Sequence, residues 1–121
     1  MKINLIAEIG WNHMGDMELA EKMIISAKNS GADYCKFQTW SEKNLKPGPW
    51  DKDGRREIYE KAELTEEDHI TLIKHCNEKE INFLSSVFSI QDAEMLKNLN
   101  VRDVKIPSFE SVSYTHLTLP T

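Results

Sequence analysis

The sequence predicts an α/β fold of parallel (β/α) units, and three observations carry that reading. Short apolar runs alternate with segments of helical period in the order βαβαβαβ, an alternation that implies a parallel sheet with right-handed crossovers. The helical segments open on capping residues and close on turn formers. Of 121 residues, 40% are hydrophobic and 29% charged, with only five Gly and four Pro, a composition that suits one soluble globular unit rather than a disordered or collagen-like chain.

The elements follow in order. Residues 3 to 9, Ile-Asn-Leu-Ile-Ala-Glu-Ile, form an apolar run closed by Gly10, which suits a strand buried on both faces. Asp16 can cap a helix starting at Met17, because Leu19, Ala20, Met23, Ile24 and Ala27 recur at helical spacing and Gly31 supplies a left-handed stop. Tyr34 to Gln38 make the second strand. Residues 39 to 64 read as a long polar connection containing Pro47-Gly48-Pro49 and the charged run Asp51 to Arg56, and so long a connection in a compact domain is functional or disordered. Thr65 to Asp68 resembles a capping box and opens a second helix through Ile70, Ile73 and Cys76. Ile81 to Ser86 make the third strand, Ala93, Leu96 and Leu99 mark the third helix, and Val101 to Pro107 make the fourth strand.

Two architectures share this rhythm. An open doubly wound sheet could be complete at this length, whereas a (β/α)₈ barrel needs ~250 residues, so the barrel requires the chain to be the first half of something longer. All 35 charged residues lie within positions 1 to 110, and residues 111 to 121 carry none. The expected organisation is therefore a domain over residues 1–110 and an atypical tail over 111–121.

Several function classes are disfavoured. No stretch approaches the ~18 apolar residues of a membrane span, and the N-terminus lacks the pattern of a signal peptide, so the expected compartment is the cytoplasm. Cys35 and Cys76 sit in apolar patterns without metal-like spacing and are expected to be reduced core residues. A net charge of -5 without a basic stripe excludes nucleic acid as an expected partner.

Polar groups stand where a buried parallel strand should have none. With period two, Ile6 and Glu8 share one face of the first strand, Lys36 and Gln38 one face of the second, and Lys105 lies on the fourth. In both architectures ligands bind outside the carboxyl ends of the strands, where Glu8, Gln38, Ser85, Ser86 and the stretch Lys105 to Glu110 are expected to converge. A structural ion pair of Glu8 with Lys36 or Lys105 is the plain alternative, and four strand ends bearing such groups weigh against it. Turn-making and capping explain Asn12, His13 and Asp16, while His69 and His75 are expected to be solvated. Two lysines with a carboxylate and hydroxyls suit a small, highly anionic substrate such as phosphoenolpyruvate; either lysine could instead form a Schiff base with a carbonyl substrate.

The motifs themselves go further. Ala7-Glu8-Ile9-Gly10, Asn12-His13-Met14-Gly15-Asp16, Gly31-Ala32-Asp33, Lys36-Phe37-Gln38, Phe83 to Phe88 and Lys105-Ile106-Pro107-Ser108-Phe109-Glu110 resemble, in order and spacing, the N-acetylneuraminate (sialic acid) synthase family. The resemblance covers roughly residues 3 to 110. It implies the N-terminal half of a (β/α)₈ TIM barrel, from an enzyme that condenses phosphoenolpyruvate with an N-acetylated amino sugar to a nonulosonic acid and phosphate, with manganese or magnesium assisting. By this likeness Lys105 and Ser108 fall where the family binds phosphoenolpyruvate, Glu8 and Gln38 where it holds the sugar, Lys36 beside them, and Glu110 at an acidic group near the reacting atoms. Ser86 joins them as a substrate-binding residue. The family's metal-binding histidines belong to the second half of the barrel, so none is expected here, and the full-length protein is expected to dimerise through a domain missing from this chain. Ser86-Val87 stands where many members have Thr-Pro, Phe109 where others have Gly, and Pro49 where some place a sugar-contacting Asn. Two rival readings remain, a Schiff-base aldolase using Lys36 or Lys105 and a non-catalytic truncated fragment.

Overall fold

Four parallel strands lie side by side in chain order in the computed structural model, which describes residues 1–108. They are β1 (Ile6–Gly10), β2 (Tyr34–Thr39), β3 (Asn82–Val87) and β4 (Val104–Lys105). The strand order decides between the two expected architectures. A doubly wound sheet reverses its order at a switch point and covers both faces, but an order without reversal sends every right-handed crossover to the same side. Helices α1 (Met17–Asn29), α3 (Glu66–Glu78) and α4 (Ile90–Asn98) accordingly share one face, which is the arrangement of a barrel wall.

The helix boundaries follow from local chemistry. The Asp16 carboxylate accepts from the backbone N–H groups of Glu18 and Leu19 at 2.9 and 3.2 Å, satisfying two donors that the first turn cannot pair. Thr65 and Asp68 form the reciprocal cap expected from sequence, each backbone N–H donating to the other's side chain at 2.9 and 3.0 Å.

Residues 39 to 64 are more ordered than their polarity suggested. They hold two 3₁₀ turns, Glu42–Asn44 and Pro49–Asp51, and a helix, α2 (Arg55–Ala62), that the sequence reading missed. Its hydrophobic stripe is short, with Ile58 and Tyr59 half-buried and Ala62 buried. The segment is held by polar contacts instead: the Arg56 guanidinium bridges Glu42 and Asp51, and the Trp40 indole N–H donates to the Tyr59 carbonyl at 3.2 Å.

The core lies between the sheet and its helices. Ile9, Cys35 and Phe37 from the strands pack against Ala20, Ile24 and Ala27 of α1 and Leu72 and Cys76 of α3, with Phe37 and Phe83 stacked 5.5 Å apart. Burying a side chain such as Phe37 stabilises by roughly 1.5–3 kcal/mol. Cys35 and Cys76 are free and buried, as expected.

Two strand expectations need correction. The first strand is not buried on both faces, since Ile6 is 52% exposed and its face looks away from the helices. The fourth strand is shorter than residues 101–107, because β3 offers register partners only to Val104 and Lys105. The tail beginning at residue 111 lies outside the described residues. Among the described residues no helix is long and apolar enough to cross a membrane.

Candidate active site at the strand ends

Register and period two assign every strand side chain to a face. Glu8 is paired with Lys36 and Lys36 with Leu84, while Gln38 is paired with Ser86 and Ser86 with Lys105. Neighbours in register point to the same side, so Glu8, Lys36, Gln38, Ser86 and Lys105 occupy adjoining rows on the face opposite the helices, towards the carboxyl ends of the strands. Of the sequence-derived site residues within the described region, these five are brought to one face as expected.

Lys36 and Glu8 form the centre of this face. The Lys36 ammonium is nearly buried and donates to both Glu8 carboxylate oxygens, at 2.6 and 2.7 Å. The carboxylate itself is 57% exposed. The pair is thus a buried charge neutralised by an accessible one, and the carboxylate retains open sides for a ligand. Directly above, β1 skips a residue against β2 between Glu8 and Gly10, a bulge that turns the chain away. Gly10 takes φ +60 there, and a Cβ on it would stand 3.6 Å from the Gln38 amide oxygen. Lys105 is exposed, with no ion pair among the described residues. Ser86 is buried in the row between Gln38 and Lys105, Ser108 is exposed just beyond β4, and Glu110 lies outside the described residues.

Ser85 does not belong to this rim. It points to the helix side, where its hydroxyl meets Thr39 Oγ1 at 2.7 Å, and Thr39 Oγ1 in turn lies 2.8 Å from His69 Nε2. His69 is correspondingly fully buried rather than solvated, because α3 turns it inward against β2. Its Nδ1 lies 2.7 Å from the Thr65 carbonyl, a contact that requires the proton on Nδ1 and leaves Nε2 to accept from Thr39. Burial pushes its pKa down, against the upward pull of the Thr65 carbonyl and of Asp68 and Glu66. His75 is also drawn inward, with Nδ1 buried and 3.7 Å from Glu21.

His13 is buried as well. Its Nδ1 accepts from the Gly15 N–H at 2.9 Å, so turn-making accounts for one nitrogen; Nε2 has no partner among the described residues. Burial lowers its pKa, with Asp68 opposing and His69 reinforcing the shift. Period two alone separates Ser85 from Ser86, but the sequence held no comparable signal for the Thr39–His69 contact, which joins elements 30 residues apart.

Among the described residues no group of three or more His, Cys, Asp and Glu side chains is placed to hold an ion. His13 spends one ring nitrogen on Gly15, and both His69 nitrogens are engaged.

One-sided helices and a charged face at the strand ends define the class: a segment of a (β/α)₈ TIM barrel. The profile of the NeuB family matches residues 23–119, and the chain belongs to that family. It is 36% identical to N,N'-diacetyllegionaminic acid synthase of Legionella pneumophila, over 93% of this chain and 35% of that protein. It is likewise 36% identical to pseudaminic acid synthase of Helicobacter pylori, over 89% of this chain and 35% of the relative. The sialic acid synthetase of Leptospira borgpetersenii, solved in complex with citrate, superposes with a TM-score of 0.82 at 27% identity, covering 96% of this chain and 40% of that one. The chain therefore spans little more than a third of the relatives it matches.

Proposed function

We propose that residues 1–121 form the N-terminal part of a synthase that condenses phosphoenolpyruvate with an N-acetylated amino sugar, releasing a nonulosonic acid and phosphate. The observation that carries this reading is the gathering of Glu8, Lys36, Gln38, Ser86 and Lys105 on the inner face of a NeuB-family barrel segment. Relatives named as synthases of legionaminic, pseudaminic and sialic acids support the substrate class.

The chemistry assigns each group a task. Lys105, exposed and unpaired among the described residues, attracts the phosphate and carboxylate charge of phosphoenolpyruvate, and Ser108 beside it offers a hydroxyl donor. Gln38 and the open sides of the Glu8 carboxylate hold sugar hydroxyl or amide groups. Lys36 fixes the direction of Glu8 through two charge-assisted hydrogen bonds, so the carboxylate is oriented before substrate arrives. Ser86 is a further donor between the two subsites, and Glu110 is assigned to proton handling. The expected manganese or magnesium would be held elsewhere in a full-length protein, and no step here is routed through it. That protein would be a cytoplasmic homodimer acting on small molecules, without nucleic acid or membrane partners.

The test is phosphate release by a full-length protein carrying this segment. Release that depends on both phosphoenolpyruvate and an N-acetylated hexosamine is expected, with no adduct trapped by borohydride. A borohydride-stable adduct at Lys36 or Lys105 would instead establish the Schiff-base aldolase. The 121-residue chain alone is expected to give no turnover.

A further inference from the structure

Buried strand faces carry apolar side chains, and the helix side of this sheet follows that rule along Cys35, Phe37 and Val87. Towards the strand ends it departs from it, for Thr39, Ser85 and His69 are buried there together. Counting protons gives the three a single direction. His69 places its one ring proton on Nδ1 against the Thr65 carbonyl, so Nε2 accepts from the Thr39 hydroxyl; Thr39 Oγ1, having given its own proton, accepts from Ser85. Burial lowers the His69 pKa and so favours the neutral ring that this order needs. The far end of the chain is anchored. The Thr65 carbonyl also accepts the His69 backbone N–H at 3.0 Å, and Thr65 is held in its reciprocal cap with Asp68.

We propose that Thr39 and His69 are positioning residues for the substrate face: their hydrogen bond ties the end of β2 to the capped start of α3 and thereby fixes where Gln38 presents its amide. Successive residues of a strand point to opposite faces, so Thr39 below the sheet and Gln38 above it are two sides of one stretch of backbone. β2 ends at Thr39, whose register partner Val87 is also the last residue of β3. Past that point the sheet offers the chain no further partners, and the side-chain bond to α3 takes over from them. Placement matters here, because the Gln38 amide oxygen lies 3.6 Å from where a Cβ on Gly10 would stand, close against the bulge that follows Glu8. Thr39→Val would fill nearly the same volume but impose no direction, whereas the hydroxyl is aimed at one nitrogen 2.8 Å away. Because Gln38 holds the sugar in the condensation reading on which this role rests, loss of the bond should weaken sugar binding more than phosphoenolpyruvate binding, whose Lys105 lies two strands away on β4.

Steady-state kinetics of a full-length protein carrying this segment test the role, with phosphate release followed while each substrate is varied in turn. Thr39→Val is expected to raise KM for the N-acetylated hexosamine by roughly tenfold, with kcat and KM for phosphoenolpyruvate within about threefold of the parent. Thr39→Ser keeps the hydroxyl and is expected to restore the parent's values. His69→Phe, which keeps a ring and removes both nitrogens, is expected to show the same split, and the double variant to be no worse than Thr39→Val alone, since both remove the same bond. Far-UV circular dichroism identifies the variants that fold; should Thr39→Val not fold, His69→Phe carries the comparison with Thr39→Ser. An unchanged hexosamine KM in folded Thr39→Val or His69→Phe, equal rises in both KM values, or a Thr39→Ser enzyme as impaired as Thr39→Val overturns the positioning role while the parent still condenses its two substrates. A parent that releases no phosphate from them overturns the condensation reading, and this role with it.

Discussion

Lys36 is nearly buried whereas Glu8 is more than half exposed, so the two ends of their ion pair are not equivalent. Removing the carboxylate strands an ammonium away from water, whereas removing the ammonium leaves a carboxylate that water can solvate. Glu8→Ala is therefore expected to cost about 1–3 kcal/mol in urea unfolding, and Lys36→Met less than about 1 kcal/mol. The opposite ranking would mean that the carboxylate, and not the ammonium, is the partner held away from water. Histidine protonation gives a second test. Burial lowers the pKa of both His13 and His69 below the ordinary 6.5, so below that pH the unfolded chain binds more protons than the folded one. Stability should fall as pH drops from 6.5 towards the depressed folded values, and His69→Gln should flatten the dependence of the urea midpoint on pH. An unchanged profile would show that His69 does not titrate differently in the two states. The rim residues were legible because charge in an apolar strand is conspicuous and period two assigns its face. His69 was not, because the contact that draws it inward joins α3 to β2 and leaves no local pattern.

At the level of elements, the loop between β1 and α1 shows how distant backbone constrains a local choice. Gly15 has φ +80, and a Cβ placed on it would stand 2.3 Å from the Lys61 carbonyl oxygen of α2. Gly15→Ala meets both a left-handed penalty and a backbone collision, and should destabilise by roughly 1–3 kcal/mol, measured by thermal or urea unfolding. A neutral effect would mean that α2 is free to move away from this loop. Strands and the helices with clean caps were readable to within a few residues, since Asp16 and Thr65 announce their helices by side-chain chemistry. Helix α2 escaped notice because its order depends on Arg56, Glu42 and Asp51 meeting across the connection. β4 was overextended because apolar character alone does not reveal where a neighbouring strand stops offering partners.

For the whole molecule, strand order is the decisive fact. Four parallel strands without reversal gather the helices on one side and leave Glu8, Lys36, Gln38, Ser86 and Lys105 on the other. Alternation of elements was evident from the sequence, but the choice between a doubly wound sheet and a barrel required either the sheet order or the motif resemblance. The two faces make opposite demands on neighbouring residues, and Ser85 and Ser86 display that contrast within one dipeptide. The most direct measurement is phosphate release from phosphoenolpyruvate and an N-acetylated hexosamine by a full-length protein bearing Glu8→Gln or, separately, Ser85→Ala. Glu8→Gln should lower kcat/KM by about 10²–10⁴, and Ser85→Ala should leave it within about tenfold of the parent. Equal losses from the two substitutions, or a Glu8→Gln enzyme of full activity, would contradict the placement of the chemistry on the inner face.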